Sequence, residues 1–481
     1  MTKQPIHIAW FRRDLRISDN AALTHALNQK IPVVALYIFD EAAPIRPLGG
    51  ASKWWLHHSL LSLESSLKTL GIPLLLKNGR ADHIFKELID DYAVTSVTWQ
   101  FHHDPGMRLR DKQVADYLQQ QGIQAQIFPG NTLWDPATIL TKQKHPYAVF
   151  TPFWHTCTAQ DQPQFPLSVP EAQTHTIVLS HSDRLDDWAL VPSSPDWACG
   201  IKTMWNVGES AALAHVKHFI STALSHYHTN RDIPGIQGTS LLSPHLHFGE
   251  ISVNQAWHAV QTNSILHPDN KLGADCFLRE LGWREFCAYL LYHHPHLLEQ
   301  PFQRGFQTFP WKDDPVAFRA WSRGLTGYPI VDAGMRQLWQ TGWMHNRVRM
   351  IVGSFLTKHL LLPWQQGEAW FFDTLVDADL ASNIGGWQWI AGCGADAAPY
   401  FRIFNPQLQS ERFDPQGTYI KAYLPELANL PAPWIHKPWE TPESILRQAG
   451  IELGKTYPPP IIEHSKARDR AMAAYQQMKR S

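Results

Sequence analysis

The chain is poor in cysteine, and the cysteines that it has are scattered. Five occur in 481 residues, at positions 157, 199, 276, 287 and 393, without a C-x-x-C pair. An odd number at this spacing excludes a disulfide framework and a zinc or iron–sulfur site held by cysteines. The sequence therefore predicts a protein of a reducing compartment, and we expect it to be cytoplasmic.

Long apolar runs and an excess of charge of one sign are also missing. No window reaches the length of a membrane-spanning helix, and the chain begins without the apolar stretch of a signal peptide. We therefore expect no membrane partner. The 42 lysines and arginines balance 43 acidic residues, so a polyanion would have to bind a local basic patch. By contrast, 21 tryptophans and 26 histidines are an unusual enrichment.

Short apolar runs alternate with amphipathic stretches over the first 130 residues. The runs are Ile6–Phe11, Val33–Phe39, Leu74–Leu76, Val94–Trp99 and Ala125–Phe128. Each pair is separated by a helical pattern, of which Trp54–Leu70, closed by Gly71, is the clearest. This alternation predicts a doubly wound parallel α/β sheet in a domain of residues 1–130.

The rest of the chain has a different organisation. Many prolines interrupt residues 131–205, which we interpret as a long interdomain linker on the surface. From Gly208 onward the apolar pattern is helical almost to the end. The sequence therefore predicts an α/β domain, a linker and an all-α domain of residues 206–481.

One segment, from Asp377 to Arg402, combines two carboxylates, an amide, a glycine pair and two indoles. Glycines let a backbone approach a flat ligand, and carboxylates and amides can hydrogen-bond the edge of a heteroaromatic ring. Indoles add stacking surfaces. The segment predicts the floor of a flavin pocket. The alternative is a glycine-kinked turn between buried helices, with Trp387 and Trp389 as core residues.

Three hydroxyls stand at a predicted helix start, on Thr239, Ser240 and Ser243. We expect Ser243 to be the N-cap and Pro244 to lie in the first turn. Hydroxyls and free N–H groups at the positive end of a helix suit a pyrophosphate, although simple capping is the alternative. The loop Gly392–Gly394 resembles half a dinucleotide fingerprint, but it follows no strand, so we discard a Rossmann site.

Two helical faces carry further polar and aromatic side chains. Cys276, Glu280, Trp283 and Cys287 recur at helical spacing, so that an indole can stack a base while Glu280 hydrogen-bonds its edge. The alternative is a Glu280–Arg284 surface pair with a half-buried tryptophan.

A second stripe contains Trp343, Asn346 and Met350, with Arg349 on the neighbouring stripe. An amide, a guanidinium and a thioether then line one wall, which ordinary helix surface explains less well because an apolar run follows at once.

Metal binding is not expected. The adjacent histidines at 57–58, 102–103 and 293–294 point apart on a helix, and Pro295 interrupts the last group. Hydrogen-bonded or solvated histidines are favoured. The basic run Arg12–Arg16 suits either a phosphate or a helix-edge cluster of ion pairs.

These motifs together resemble the DNA photolyase and cryptochrome family over nearly the full length of the chain. The matching segments are Trp10–Arg16 with Asp19 and Asn20, Thr239–Pro244, Trp343–Met350 and Asp379–Pro406. The resemblance implies an N-terminal antenna domain, a linker, and a helical domain that holds a U-shaped FAD.

The family's cofactor ligands carry over position by position. The resemblance implies that Tyr227, Thr239, Ser240, Leu242 and Ser243 hold the phosphates and the ribityl chain. It implies that Glu280, Asn346, Arg349, Asp377, Asp379 and Asn383 line the flavin ring and its neighbours.

The likeness also implies a repair enzyme. Photolyases carry an asparagine facing the flavin N5, as Asn383 would here, where plant cryptochromes carry aspartate and animal ones cysteine. At the positions that Asn346 and Met350 hold here, family members that repair cyclobutane dimers carry the same asparagine and methionine, whereas those that repair (6-4) photoproducts carry histidines. Ile384 departs from a second asparagine common after Asn383, which affects flavin tuning.

We therefore expect a deoxyribodipyrimidine photo-lyase, a carbon–carbon lyase. The alternative is a blue-light cryptochrome without repair activity, against which Asn383 and the lack of a long C-terminal extension argue. A third possibility, a flavin oxidoreductase, lacks a nicotinamide loop and an acid–base pair.

The mechanism implied by the family is electron transfer from excited FADH− to a flipped-out dimer, and photolyases are themselves among the standard examples of base-flipping enzymes. The catalytic residues would be Glu280, Asn346, Met350 and Asn383. DNA would be held by Arg231, Trp283, Arg347, Met350, Trp389 and Arg402, with strongly salt-dependent affinity.

The resemblance to this family also explains part of the tryptophan enrichment. Trp311, Trp364 and Trp387 match the family's electron-transfer chain, although each suits a core position as well. The segments 50–60 and 392–400 look most like class III bacterial photolyases, which implies a methenyltetrahydrofolate antenna; 8-hydroxy-deazaflavin is the alternative. We expect a monomer.

Overall fold

The computed structural model describes residues 4–175, 177, 179, 181–396 and 401–480. The chain forms two compact units. The N-terminal unit comprises residues 1–198, 205–224 and 240–295, and the C-terminal unit comprises residues 199–204, 225–239 and 296–481. No helix in the described parts of the chain is both long enough and apolar enough to cross a membrane.

The N-terminal unit contains a parallel sheet in the order β3-β2-β1-β4-β5. Its strands are β1 Pro5–Phe11, β2 Val33–Phe39, β3 Leu74–Asn78, β4 Ala93–Gln100 and β5 Gln124–Phe128. The crossover helices are α1 Ala21–Asn28, α2 Gly50–Thr69, α3 Ala81–Asp91 and α4 Pro105–Gln120. The strand order reverses on either side of β1, which confirms the predicted doubly wound sheet.

The strands form around short apolar runs, and β2 is the one whose residues are apolar without interruption. Every residue of β2 is buried, as expected for a parallel strand that is covered on both faces. On one face of the sheet, the Trp10 ring meets Phe85 and Trp99 edge to face, with centroids 5.1 and 5.6 Å away. The aromatic core of this unit therefore lies directly beneath the strands.

The basic run after β1 is structural. Arg12 is buried and pairs with Asp111 at 2.7 Å, and burial lowers the pKa of its guanidinium. Arg16 donates to the carbonyl oxygens of Gly249 and Asp19, at 2.8 and 2.7 Å. Of the two interpretations from the sequence, these contacts favour internal pairing over a phosphate site.

Residues 131–205 do not behave as one surface segment. Their helix α5, Phe150–Thr158, buries Phe150, Phe153 and Cys157 within the N-terminal unit, whereas α6, Cys199–Met204, belongs to the C-terminal unit. The units therefore cut across the expected boundaries at residues 130 and 205. The division into domains 1–130, 131–205 and 206–481 stays a prediction.

The described residues beyond 205 are helical, as the sequence predicts. In the N-terminal unit the helices are α7 Glu209–Thr222, α9 Ser243–Phe248, α10 Val253–Leu266 and α11 Lys271–His293. In the C-terminal unit they are α8 Tyr227–Asn230, α12 Pro315–Ser322, α13 Pro329–Thr341, α14 Asn346–Ser354, α15 Trp364–Thr374, α16 Leu380–Ala391, α17 Pro406–Phe413, α18 Thr418–Tyr423, α19 Ala432–Ile435, α20 Glu443–Gln448 and α21 His464–Arg480. A π-helix, Phe355–His359, directly continues α14.

Short 3-10 turns join these elements. They span Leu185–Trp188, Leu224–His226, Pro268–Asn270, Pro295–Leu298, Arg304–Thr308, Pro425–Leu427 and Pro438–Glu440.

Candidate active site

Helix α16 carries the centre of the predicted flavin pocket. It begins after Asp379, whose side chain accepts a hydrogen bond from the Ser382 backbone N–H at 2.8 Å and so caps the helix. It ends at Gly392, which adopts a left-handed conformation with φ +87°. Asn383 and Trp387 are one turn apart and therefore share a face.

The Asn383 amide has a fixed orientation. Its Nδ2 donates to the Glu368 Oε1 at 2.8 Å and to the Glu368 carbonyl oxygen at 3.1 Å. Because a backbone carbonyl oxygen only accepts hydrogen bonds, the amide nitrogen and not the amide oxygen must face Glu368. Oδ1, an acceptor, is the amide atom of Asn383 that these two hydrogen bonds leave available. Sequence reasoning did not select Glu368, which lies on α15 one turn after Trp364.

Arg349 joins α14 to the segment that precedes α16. Its Nη2 donates to both oxygens of Asp377, at 3.0 and 2.8 Å, and its Nε donates to the Met344 carbonyl oxygen at 2.7 Å. Asp377 is buried. The pair holds a guanidinium and a carboxylate in one fixed geometry, as such charge-assisted contacts do.

The other predicted residues of this stripe lie at the start of α14. Asn346 is exposed and Met350 is half-buried one turn later, so both belong to the same helical face. The helix is capped by His345, whose Nδ1 accepts from the Arg347 N–H at 3.2 Å. Burial lowers the pKa of His345 to about 4, which keeps the ring neutral near pH 7 and lets it accept this bond.

Tyr227, Arg231 and Thr239 belong to the C-terminal unit. Tyr227 is buried, and the Arg231 guanidinium lies 5.8 Å from its ring centroid. Thr239 follows Gly238, where a Cβ atom would stand 2.5 Å from the Asn230 carbonyl oxygen. Only glycine fits this turn, which sets the position of the half-buried Thr239.

The other predicted phosphate ligands belong to the N-terminal unit, and one prediction about them is wrong. Ser243 is the first residue of α9 and does not cap it; the N-cap is Leu242, without a side-chain cap bond. Leu242 already has helical dihedral angles, φ −85° and ψ −9°, so the Ser243 hydroxyl lies past the capping position. Ser243 is exposed, and the Ser240 Oγ accepts from the Leu242 N–H at 3.4 Å.

Helix α11 presents the predicted lesion-binding face. Cys276, Glu280, Trp283 and Cys287 are all half-buried, in agreement with one shared stripe along the helix. Arg284 donates to the Asn131 carbonyl oxygen at 2.8 Å and to Glu285 at 3.1 Å. The Trp283 ring stacks on Phe150 with centroids 3.8 Å apart. No pattern in the sequence indicates this partner, which lies 133 positions earlier in the chain.

The predicted electron-transfer tryptophans occupy different environments. Trp387 and Trp364 are buried, and Trp311 is half-buried with its ring centroid 4.3 Å from Phe309. The Trp387 ring meets Phe371 and Trp321, at centroid distances of 5.0 and 6.1 Å. Trp321 was not selected from the sequence.

The predicted DNA-binding residues of the C-terminal unit differ in how their charges are compensated. Arg347 pairs with Asp232 at 2.8 Å, and its guanidinium lies 4.3 Å from the Phe413 ring centroid. Arg402 is exposed, with its guanidinium 5.1 Å from the Phe404 ring centroid. Trp389 is half-buried.

These residues fit a flavin. An amide acceptor, a guanidinium and carboxylates provide the donors and acceptors that a heteroaromatic ring edge requires. Gly386 is exposed, and a Cβ atom there would have no neighbour within 4 Å, so the backbone can be approached closely. Within the described residues, no group of three or more histidine, cysteine or acidic side chains is arranged to hold a metal ion. Residues 397–400 of the predicted segment lie outside the described residues.

Comparison with known proteins finds relatives that match this chain over nearly its whole length. A family model described as "FAD binding domain of DNA photolyase" matches residues 277–477, and one described as "DNA photolyase" matches residues 7–171. A deoxyribodipyrimidine photo-lyase of Agrobacterium fabrum is 49% identical over 98% of each chain. The chain belongs to the DNA photolyase family. Cryptochrome-1 of Arabidopsis thaliana is 39% identical, over 98% of this chain and 70% of the relative.

Solved structures agree with this assignment. A bacterial class III photolyase from Agrobacterium tumefaciens superposes with a TM-score of 0.95 at 49% identity, over 100% of this chain and 99% of that one. A cryptochrome of Synechocystis sp. gives a TM-score of 0.89 at 28% identity, over 98% and 100% of the two chains. The predictions of the family, its fold, an FAD-binding domain and a photolyase are confirmed.

Proposed function

We propose that the chain is a deoxyribodipyrimidine photo-lyase that splits cyclobutane pyrimidine dimers in DNA under blue light. The observation that carries the proposal is the fixed Asn383 amide on α16, whose Nδ2 is held by Glu368. The free Oδ1 can accept a hydrogen bond from an N–H group, which the reduced flavin ring carries at N5 and the oxidised ring lacks. The site therefore favours the reduced cofactor that light-driven repair requires.

The remaining cofactor ligands have complementary roles in this proposal. Bound FAD supplies the light-driven electron, and the protein binds and orients it. Arg349 and Asp377 form a rigid donor and acceptor pair for the ring, and Asp379 lies beside them at the helix start. The phosphates and the ribityl chain are held by Tyr227, Thr239, Ser240, Leu242 and Ser243.

The substrate residues follow from their chemistry. Glu280 and Asn346 hydrogen-bond the edges of the flipped pyrimidines, and Met350 packs on the dimer. Trp283 and Trp389 form the apolar wedge around it. Arg231, Arg347 and Arg402 hold the flanking phosphates. Trp387, Trp364 and Trp311 conduct an electron to the flavin when it has become oxidised.

The test uses purified holoprotein and an oligonucleotide that carries one cyclobutane thymine dimer. We expect illumination to restore the absorbance of the intact thymines, with no restoration in the dark. A duplex that carries a (6-4) photoproduct serves as the matched substrate control, and it should stay unrepaired because Asn346 and Met350 replace the histidines of (6-4) enzymes. Absence of light-dependent restoration on the dimer would contradict the proposal.

A blue-light photoreceptor without repair activity is the second candidate. It is favoured by the 39% identity to Cryptochrome-1 of Arabidopsis thaliana. The same experiment separates the two functions, because a receptor would change its flavin absorbance under light and leave the dimer intact.

We infer a methenyltetrahydrofolate antenna from the class III resemblance, with 8-hydroxy-deazaflavin as the alternative. From the scattered cysteines and the spacing of the histidines we also infer a cytoplasmic protein that needs no metal, and we expect a monomer. A photolyase of Sulfolobus tokodaii, 28% identical over 98% of this chain and 100% of that one with a TM-score of 0.81, was solved with two FAD molecules and a proposed novel light-harvesting cofactor. Extraction and mass analysis of the bound chromophores identify the antenna directly.

A further inference from the structure

Trp283 has one of its two ring faces covered. Phe150 stacks on the indole with centroids 3.8 Å apart and ring planes inclined by only 9°. Phe286 meets the indole edge-on, with a centroid distance of 6.0 Å. A pyrimidine that stacks on Trp283 must therefore use the opposite face, and the plane of that face is set by Phe150.

Phe150 is itself held firmly by its neighbours. Its side chain has 0% exposure, it lies 6.0 Å from Trp154 at an angle of 13°, and Phe286 packs against it edge to face at 5.8 Å. At Gly282, the residue before Trp283, a Cβ atom would stand 2.4 Å from the Trp154 ring. Helix α5 therefore touches α11 at the point where the indole emerges, and it has no room to shift toward α11.

The chemistry of this arrangement differs from ordinary core packing in one respect. A core aromatic is surrounded on all sides, whereas Trp283 is half-buried and keeps part of its surface open. Stacking on a base is more favourable if the ring is already in position, because ordering a mobile side chain on binding costs conformational entropy. A buried ring behind the indole removes that cost before the ligand arrives.

We propose that Phe150 is a positioning residue for lesion recognition, which holds the Trp283 ring in the plane on which a flipped pyrimidine dimer stacks. The inference rests on the proposed function and deepens it, since it assigns a role in substrate binding to a segment that the sequence predicts to be a linker. Phe150 acts through Trp283 and does not contact the dimer.

The decisive measurement is the affinity of the holoprotein for two matched oligonucleotides, one with a single cyclobutane thymine dimer and one without. We expect Phe150→Leu to weaken binding of the damaged strand by about two- to tenfold, which corresponds to the energy of an aromatic pair. Binding of the undamaged strand should not change. Repair per absorbed photon, measured at saturating protein, should also stay the same, because the reacting groups are intact. Phe150→Met, which keeps the volume more closely, should reproduce the effect if the leucine variant folds poorly.

The matched control is Phe153→Leu. Phe153 is buried on the same helix but packs on Phe286 and Tyr289, with centroid distances of 5.1 and 4.8 Å. The Phe153→Leu variant should have the same ratio of affinities for the damaged and undamaged oligonucleotides as the wild type. In a Trp283→Ala background, Phe150→Leu should have no further effect, because coupled residues are not additive.

Three outcomes overturn the inference. The ratio of the two affinities is unchanged in both Phe150 variants, or Phe153→Leu lowers that ratio as much as Phe150→Leu does. The third is that Phe150→Leu still lowers the ratio by its full amount in the Trp283→Ala background. The wild type separates this inference from the function itself. If the wild-type protein neither prefers nor repairs the damaged strand, the proposed function and the positioning role both fail. If the wild type prefers and repairs that strand, and the Phe150 variants bind it as tightly as the wild type, only the positioning role fails.

Discussion

At the scale of single residues, the orientation of one amide links the structure to redox chemistry. Asn383 offers Oδ1 to a ligand only because Glu368 occupies its Nδ2. An amide that was free to rotate would present a donor as readily as an acceptor. In the proposed function, Glu368 therefore favours one redox state of the flavin through the orientation of Asn383.

Replacement of Glu368 tests this role. Glu368→Leu removes the side-chain acceptor and leaves the backbone carbonyl oxygen of residue 368 as an acceptor for Nδ2. We expect the midpoint potential of the bound flavin to fall, because the amide is held less firmly and the hydrogen bond to the reduced ring, worth about 1 kcal/mol, is partly lost. The measurement is a spectroelectrochemical titration of the holoprotein. Glu368→Gln, which keeps a carbonyl oxygen at this position, is the matched control and should lie close to the wild type. An unchanged potential in the leucine variant, at normal FAD content, would count against the role.

Some residues of the candidate site could be predicted from the sequence alone, and others could not. Asp377, Asp379 and Asn383 could be predicted because they share one short segment, in which local spacing is informative. Glu368 and Phe150 could not, because their partners lie 15 and 133 positions away along the chain. Contacts at such separations depend on how helices pack, and no periodic pattern in a single sequence encodes them.

At the scale of secondary-structure elements, the strands were the most predictable part. Each predicted apolar run lies within a strand, because a parallel strand covered on both faces, such as β2, is rich in apolar residues. The start of α9 was predicted wrongly. A serine followed by proline is typical of a helix start, but the backbone turns one residue earlier, at Leu242, after the left-handed Leu241 with φ +53°.

The C-terminal end of α16 has an unusual partner. The buried Lys358, on the π-helix 355–359, donates from Nζ to the Ala391 carbonyl oxygen at 2.6 Å and lies 3.6 Å from the Phe401 ring centroid. A cation suits a helix C-terminus, but burial outweighs this and lowers the pKa of Lys358 to about 7. The nearby Cys393 supplies no compensating charge near neutral pH, since burial raises the pKa of its thiol to about 12.

This burial predicts a pH-dependent stability. The unfolded chain keeps the ordinary lysine pKa of 10.5, so it binds more protons than the folded protein between pH 7 and 10.5. The contribution of Lys358 to folding therefore becomes more favourable as pH rises through this window, by up to about 1.4 kcal/mol per pH unit. Below pH 7 the lysine is charged in both states, and its contribution becomes constant.

The comparison of wild type with Lys358→Met measures this effect. We expect unfolding midpoints, taken between pH 7 and 9, to rise more steeply with pH for the wild type than for the methionine variant. Lys217→Met, which removes an exposed lysine, should keep the wild-type slope. Parallel pH profiles for the wild type and Lys358→Met would show that the lysine stays charged in the fold.

At the scale of the whole molecule, charge is balanced while its proposed partner is a polyanion. A formal net charge of −1 provides no general attraction for DNA, so affinity has to come from individual cations near the lesion. The structure distinguishes two of them. Arg402 is exposed, whereas Arg347 pairs with Asp232 at 2.8 Å, so that a phosphate has to compete with this carboxylate for the guanidinium.

The salt dependence of DNA binding therefore reveals which arginines bind the DNA phosphates. Each cation that neutralises a phosphate contributes about one unit to the slope of log affinity against log salt concentration. We expect Arg402→Ala to reduce that slope by about one, measured by titration of the holoprotein with a dimer-containing duplex at several salt concentrations. Arg347→Ala, the matched removal of a paired arginine, should reduce it by clearly less than one, because the release of Asp232 offsets the phosphate contact. Equal reductions in the two variants would mean that the Asp232 pair opens at no cost when DNA binds, and an unchanged slope in Arg402→Ala would place the phosphates elsewhere on the surface.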